Sequence, residues 1–231
     1  MLEIKDLTGG WGRTTVVEHL SLRLDQGECV AVVGRNGVGK TTLLELISGR
    51  AQQSSGTIAF AGTDISRMSA YSRARLGLGL VPQNREVFPS LTVREHLNVS
   101  ARPGRWTQSS VLELLPRLGQ RMDNLACHLS GGEQQMLAIA RALLGNPRLI
   151  LMDEPSEGLA PRVVEQLSDV LKAIIADGSL TMLLIEQRID IAMELSTRYV
   201  IMDRGNIVHE GHSTDVLDGS VKLADLIGFE H

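Results

Sequence analysis

The chain has 231 residues, enough to bury a real core as one domain or as one domain with a lobe. Its 23 basic and 27 acidic residues leave a net charge of −4, so nothing favours nucleic acid or an anionic membrane surface, and 3% aromatic content leaves little for base stacking. No apolar run approaches the roughly 18 residues of a membrane span, and the N-terminal MLEIKDLTGG lacks a signal peptide's shape. Cys29 and Cys127 match neither a metal site nor a disulfide framework, so both are expected to be reduced, in a cytosolic compartment.

In chain order, Leu2 to Leu7, Val16 to Leu24 and Thr57 to Phe60 read as strands separated by polar turns, forming an antiparallel lobe. Glu28 to Val33 is a short apolar, β-branched run that predicts a buried strand. GRNGVGKTT follows at Gly34 to Thr42 and fits G-x-x-x-x-G-K-[ST]. Gly37 and Gly39 let successive N–H groups point inward. The helix predicted over Thr42 to Ile47, with Gly49 as its C-cap, adds a positive dipole end. Lys40 can reach the β- and γ-phosphates, and Thr41 can offer its hydroxyl to Mg²⁺. The contacts expected in this loop are Gly34, Asn36, Gly37, Gly39, Lys40, Thr41 and Thr42.

About Arg85 to Leu144 is helix-rich, interrupted by Ala101 to Gly104. It contains LSGGEQ at Leu129 to Gln134, where Ser130 and Glu133 have the spacing of a capping box. A capped helix is the purely structural reading; a hydroxyl and two glycines at a helix N-terminus also make an anion site. LILMDE at Leu149 to Glu154 is an apolar run ending in two acids, as at the C-terminal end of a central parallel strand. Asp153 is placed for Mg²⁺. By strand alternation Glu154 should point to the other side and polarise the attacking water. Pro161 to Ala176 has helical apolar spacing, and Thr181 to Ile185, Arg198 to Met202 and Ile207 to Val208 read as further strands. Alternating strands and helices predict an α/β fold with a mainly parallel core sheet of the P-loop, RecA-like kind.

Several residues carry no expected chemistry. Met136, Met152, Met182 and Met193 read as core filling. His19, His96, His128, His209, His212 and His231 show no ligand spacing. Glu186 is expected to face away from the phosphates.

With these motifs in order, the chain resembles the ATP-binding-cassette (ABC) ATPases over nearly its whole length, as a single cassette over 1–231. The resemblance implies ATP and Mg²⁺ as cofactors. Trp11 falls where that family stacks an aromatic residue on adenine. Gln83, in LVPQNREVFPSLTV, matches the glutamine linking Mg²⁺ and water to the transporter contact, so the implied metal set is Thr41, Gln83 and Asp153. Ser156 to Leu159 matches the loop that crosses a dimer. The family implies two subunits head to tail, with each ATP between one phosphate loop and the partner's copies of the segment Ser130, Gly131 and Gly132. Where the family usually has a histidine contacting the γ-phosphate, this chain has Gln187, which can donate a hydrogen bond but cannot act as an acid or base near neutrality. The implied catalytic group is then Glu154, Gln187 and Gln83.

LLIEQ, GRNGVGKTTLL and DEPSEGLAP resemble one subgroup, the ATPase subunits of importers for branched-chain amino acids and for urea or amides; Asn84 departs from the glycine expected after Gln83. The implied partners are permease subunits, a second ABC ATPase subunit and, indirectly, a solute-binding protein, with this chain peripheral on the cytoplasmic face of the inner membrane. A soluble ABC-type ATPase acting on a macromolecular complex is the alternative, and would call for a basic surface or an added arm. A small-molecule kinase or GTPase does not account for LSGGEQ.

Overall fold

The computed structural model of the chain describes residues 1–176 and 178–223. The elements in order are β1 (Leu2–Trp11), β2 (Thr14–Leu24), β3 (Cys29–Val33), α1 (Lys40–Ser48), β4 (Gln52–Phe60), β5 (Thr63–Asp64) and α2 (Ala70–Arg75). Then come β6 (Leu78–Val81), α3 (Val93–Ser100), α4 (Gln108–Leu114), α5 (Pro116–Gly119), a 3₁₀ turn at Ala126–His128 and α6 (Gly131–Leu144). The chain continues through β7 (Leu149–Asp153), α7 (Pro161–Ile175), β8 (Thr181–Ile185), α8 (Ile189–Leu195), β9 (Arg198–Asp203), β10 (Asn206–His212) and α9 (Ser213–Leu217).

Six strands form a sheet in the order β10-β9-β3-β8-β7-β6, parallel throughout except for β10. All five residues of β3, β7 and β8 are buried, which is why these strands read as unbroken apolar runs. Their parity sorts two larger apolar clusters, with a third, smaller one around Ala31, Val33, Met193 and Tyr199. Leu149 and Leu151 face a cluster with Val30, Val32, Leu183 and the α1 residues Leu43, Leu44 and Ile47. Ile150 and Met152 face the other, with Leu97, Leu137, Ile139, Leu143, Leu167 and Leu171 of the helices. The predicted α/β architecture is therefore present, and the antiparallel lobe is a second sheet in the order β2-β1-β4-β5.

The strands of that lobe run further than the sequence suggests: β1 reaches Trp11, and β4 starts at Gln52. Thr8 to Gly10 looks like a turn, yet it is bulged strand. A Cβ at Gly9 would stand 2.5 Å from the Gln52 carbonyl oxygen and one at Gly10 2.1 Å from that of Thr14, so only glycine lets the three backbones approach. β6, in a glycine-containing run with no alternation, is missing from the sequence reading, and β10 is longer than the predicted Ile207 to Val208. His231 lies outside the described residues, as does the end of the chain from 224. Cys29 and Cys127 are both free; burial pushes the Cys29 thiol up to about 12.

The capping signals hold. Gly49 ends α1 in the left-handed region at φ 82°, and Pro161 opens α7. Ser130 Oγ accepts from Glu133 N–H at 3.3 Å while Ser130 N–H donates to the Glu133 carboxylate at 2.8 Å, completing the box on α6. The C-terminal end of α1 has a second anchor. Arg73, buried, donates to the Leu46, Ile47, Met68 and Ser66 carbonyls at 2.7, 2.9, 3.0 and 3.1 Å. It thereby satisfies the orphan Ile47 carbonyl, adds a second donor to that of Leu46, which also accepts from Gly49 N–H, and ties both to the segment before α2.

Replacing Arg73 with Ala strands the Ile47, Ser66 and Met68 acceptors, and the expected loss is about 3 kcal/mol of unfolding free energy in urea titration. A loss below about 0.5 kcal/mol would show that water replaces the guanidinium without cost.

Candidate functional site

Parallel pairing sets β3, β6, β7 and β8 with their C-terminal ends on one edge. Asp153 is level with Ile185, and Ile185 with Val32; Val81 is level with Met152. The phosphate loop therefore leaves β3 beside Asp153 and Glu154 after β7, Gln187 after β8 and Gln83 after β6. Such an edge is the usual ligand crevice of an open parallel sheet.

The loop turns through three positive-φ glycines, Gly34 at 152°, Gly37 at 81° and Gly39 at 105°. At Gly34 a Cβ would stand 2.3 Å from the Met202 carbonyl oxygen, so side chains are excluded there by space as well as by conformation. α1 begins at Lys40 with no side chain capping its N-terminus, leaving first-turn N–H groups for a ligand. Lys40 is buried and folds back over the loop, donating to the Gly34 and Arg35 carbonyls at 2.8 and 3.0 Å. Burial holds its pKa below the ordinary lysine value, against the opposing pull of Glu154 and Asp153.

The two acids do not part as alternation requires. β7 ends at Asp153, and Glu154 takes φ 46°, in the left-handed region rare for a non-glycine residue. Its N–H still completes the ladder to the Ile185 carbonyl at 2.9 Å, but the positive φ turns the chain off the strand there, and both carboxyls lie near Lys40 of the phosphate loop. Glu154 Oε2 accepts from Gln187 Nε2 at 2.5 Å and from Gln83 Nε2 at 3.2 Å, while Oε1 is 3.9 Å from Lys40 Nζ. Asp153 is almost wholly buried, and desolvation pushes its carboxyl up to about 6 despite the neighbouring Thr41 hydroxyl. Its Oδ1 is buried and has no hydrogen-bond partner. An orphaned carboxylate oxygen beside a hydroxyl is the donor chemistry of a hard divalent cation.

Asn36, Gly37, Gly39, Lys40, Thr41, Thr42, Gln83, Glu154 and Gln187 line one open cavity of about 290 Å³. Val16 and Glu157 line it too. Neither belongs to the expected set, since both arrive through tertiary contact; Gln83 Nε2 donates to Glu157 Oε2 at 2.5 Å across 74 positions. Trp11, half exposed at the end of β1, does not line it. Glu186 is buried and accepts from the Gln187 and Arg188 N–H groups at 2.9 and 3.2 Å, closing the turn after β8 outside the cavity. Ser130, Gly131 and Gly132 are also elsewhere. Ser130 and Gly132 border a separate cleft with α5 and α7, and a Cβ at Gly132 would meet Val163 Cγ1 at 2.6 Å, so this glycine has a packing reason of its own.

The family described as "ABC transporter" matches residues 17–157. The high-affinity branched-chain amino acid transport ATP-binding protein BraG of Pseudomonas aeruginosa is 37% identical over 90% of this chain and 91% of its own length. The Nod factor export ATP-binding protein I of Paraburkholderia xenovorans is 34% identical over 91% of this chain and 70% of its own length. Among solved structures, a nucleotide-free ATP-binding cassette from an ABC transporter superposes with TM-score 0.85 at 26% identity, covering 100% of this chain and 99% of that one.

The raised Asp153 carboxyl makes a testable contribution to stability. Its folded value, about 6, lies above the ordinary 3.8, so its contribution is full below pH 4 and is lost as pH rises through 6. With chelator and no nucleotide, the parent should lose about 2 kcal/mol relative to Asp153→Asn between pH 4 and pH 7 in paired urea titrations. A difference that stays flat across that range would show an unshifted carboxyl.

Proposed function

The chain belongs to the ABC transporter family, and on that premise we propose that it is the ATP-hydrolysing subunit of an importer for branched-chain amino acids or urea-like amides. The observation that carries the hydrolytic reading is the convergence of Lys40, Gln83, Glu154 and Gln187 on one cavity behind the phosphate loop. The similarity to BraG, with nearly full mutual coverage, supports import of branched-chain amino acids over export. The urea-like alternative rests on LLIEQ and DEPSEGLAP.

The chemistry follows from the contacts. Loop N–H groups and the α1 N-terminus hold the phosphate oxygens, and Lys40, released from the Gly34 and Arg35 carbonyls, supplies a point charge. Two amides bind Oε2 of Glu154, and Oε1, which faces Lys40 Nζ at 3.9 Å, would take a proton from the attacking water once Lys40 turns to the phosphates. Gln187 orients this base and transfers no proton. The orphaned Asp153 Oδ1 fits Mg²⁺, which Thr41, Asp153 and Gln83 would hold; bound there, Mg²⁺ would offset the charge developing on the phosphates. Trp11, exposed beside the lobe, is free to stack on adenine.

Ser130, Gly131 and Gly132 turn away from this chain's own cavity, which supports a head-to-tail pair in which they close on a partner's nucleotide. Membership of the family supports a permease on other chains and a place for this chain at the cytoplasmic face of the inner membrane; among the described residues no helix is long and apolar enough to cross a membrane. A solute-binding protein would then deliver the cargo, and no nucleic acid is involved.

Affinity purification from detergent-solubilised native membranes should recover two permease subunits and a second ATPase. Recovery of soluble partners alone would replace the importer with a cytosolic ABC machine.

Lys40→Ala should abolish most ATP binding. Glu154→Gln should bind ATP, lose about 100-fold or more in turnover and accumulate as a dimer on a sizing column. Gln187→Ala should lose less, about tenfold. Normal turnover in Glu154→Gln would remove it as the base, and equal losses would make Gln187 essential to the chemistry.

A further inference from the structure

The Gln83 amide nitrogen has two N–H groups, and both are used: one reaches Glu154 Oε2 at 3.2 Å, the other Glu157 Oε2 at 2.5 Å. Ionised carboxylates only accept, so these two contacts fix which end of the amide is nitrogen and which is oxygen. Gln83 Oε1 is thereby the end turned away from both acids. Glu154 alone would not hold this orientation firmly, because its Oε2 is shared with Gln187 at a shorter distance. The closer contact is to Glu157, an exposed residue of the turn between β7 and α7 that also lines the phosphate cavity.

We propose that Glu157 is a positioning residue for hydrolysis: it sets the orientation of the Gln83 amide, so that Gln83 Oε1 is the atom offered to the cation and its water. The Glu157 carboxylate acts through Gln83, while its N–H donates to the Glu154 carbonyl at 3.1 Å and closes the turn. The inference rests on the reading of this cavity as a hydrolytic ATP site. It adds a carboxylate whose removal leaves the phosphate loop, Lys40 and Glu154 intact. Because Glu157 stands three residues past Glu154, in the turn leading to α7, any rearrangement of that turn changes the Gln83 amide at the same time.

The test compares Glu157→Gln, Glu157→Asp and the parent in the full chain. Glu157→Gln is isosteric but brings an N–H, which permits Gln83 to turn over and accept through its oxygen; Glu157→Asp keeps an acceptor-only group. Binding of Mn²⁺ in the presence of a non-hydrolysable ATP analogue is followed by electron paramagnetic resonance, beside metal-free binding of the same analogue and the kcat and KM for ATP.

The expected result for Glu157→Gln is a loss of about tenfold in Mn²⁺ affinity and in kcat, with metal-free nucleotide affinity and KM within about twofold of the parent. Glu157→Asp should recover most of both. Unchanged Mn²⁺ affinity in Glu157→Gln would overturn the proposal. So would equal losses in metal-free nucleotide binding and Mn²⁺ binding, which would mark a merely structural turn. If the parent itself hydrolyses no ATP, or if Lys40→Ala binds the analogue as well as the parent, the reading of the cavity fails and this inference with it. If the parent hydrolyses ATP and Glu154→Gln does not, while Glu157→Gln matches the parent throughout, only the role of Glu157 falls.

Discussion

The site depends on the parallel pairing of β6, β7, β8 and β3. Strands that run the same way must end on the same side, and the connecting helices must cover both faces. Four residues just beyond four strand ends therefore meet with no long-range design beyond the sheet itself: Gly34 after β3, Glu154 after β7, Gln187 after β8 and Gln83 after β6. The two larger apolar clusters keep that edge in register. The antiparallel sheet and α1 press on one face and the helices from α3 to α7 on the other.

Against that scaffold the polar groups of the cavity are arranged at a cost. Asp153 is desolvated with one oxygen unpaired, Lys40 is held below its ordinary pKa by burial, and Glu154 occupies an uncommon backbone conformation. Each is an arrangement that a purely structural turn would not favour. Each makes sense when a multiply charged phosphate and a hard cation enter: Lys40 exchanges backbone carbonyls for phosphate, and Asp153 gains a partner for its free oxygen.

What could be read from the sequence was what is local in the chain. The phosphate loop is a spacing of glycine, lysine and threonine between a strand and a helix, and its glycines take the backbone angles that spacing requires. The Ser130 box and the Gly49 and Pro161 ends of helices are local too. The parallel strands were legible because burial on both faces writes a continuous apolar run. Glu154 was misjudged for its direction, since alternation holds only while the chain remains a strand. β1 past Leu7 was missed because Gly9 and Gly10 serve close approach of neighbouring backbones, which no single strand reveals. The contacts of Glu157, inside the Ser156 to Leu159 segment, and of Arg73 are not legible for a related reason. Their partners are 74 and up to 27 positions away, and no pattern in the neighbourhood of either points there.

The contact between Gly132 and Val163 has a mechanical consequence. Val163 Cγ1 stands 2.6 Å from where a Cβ on Gly132 would be, so the first turns of α6 and α7 meet at this point, at the edge of the cleft that both helices line. A side chain larger than hydrogen at Gly132 would therefore have to push the first turn of α7 aside or force Val163 into another rotamer. The N-terminus of α7 is Pro161, seven residues after Glu154, with no other helix or strand between them. The glycine-rich end of α6 thus touches the first turn of the helix into which the turn after Glu154 leads, so a change of size at Gly132 bears on the entry to α7.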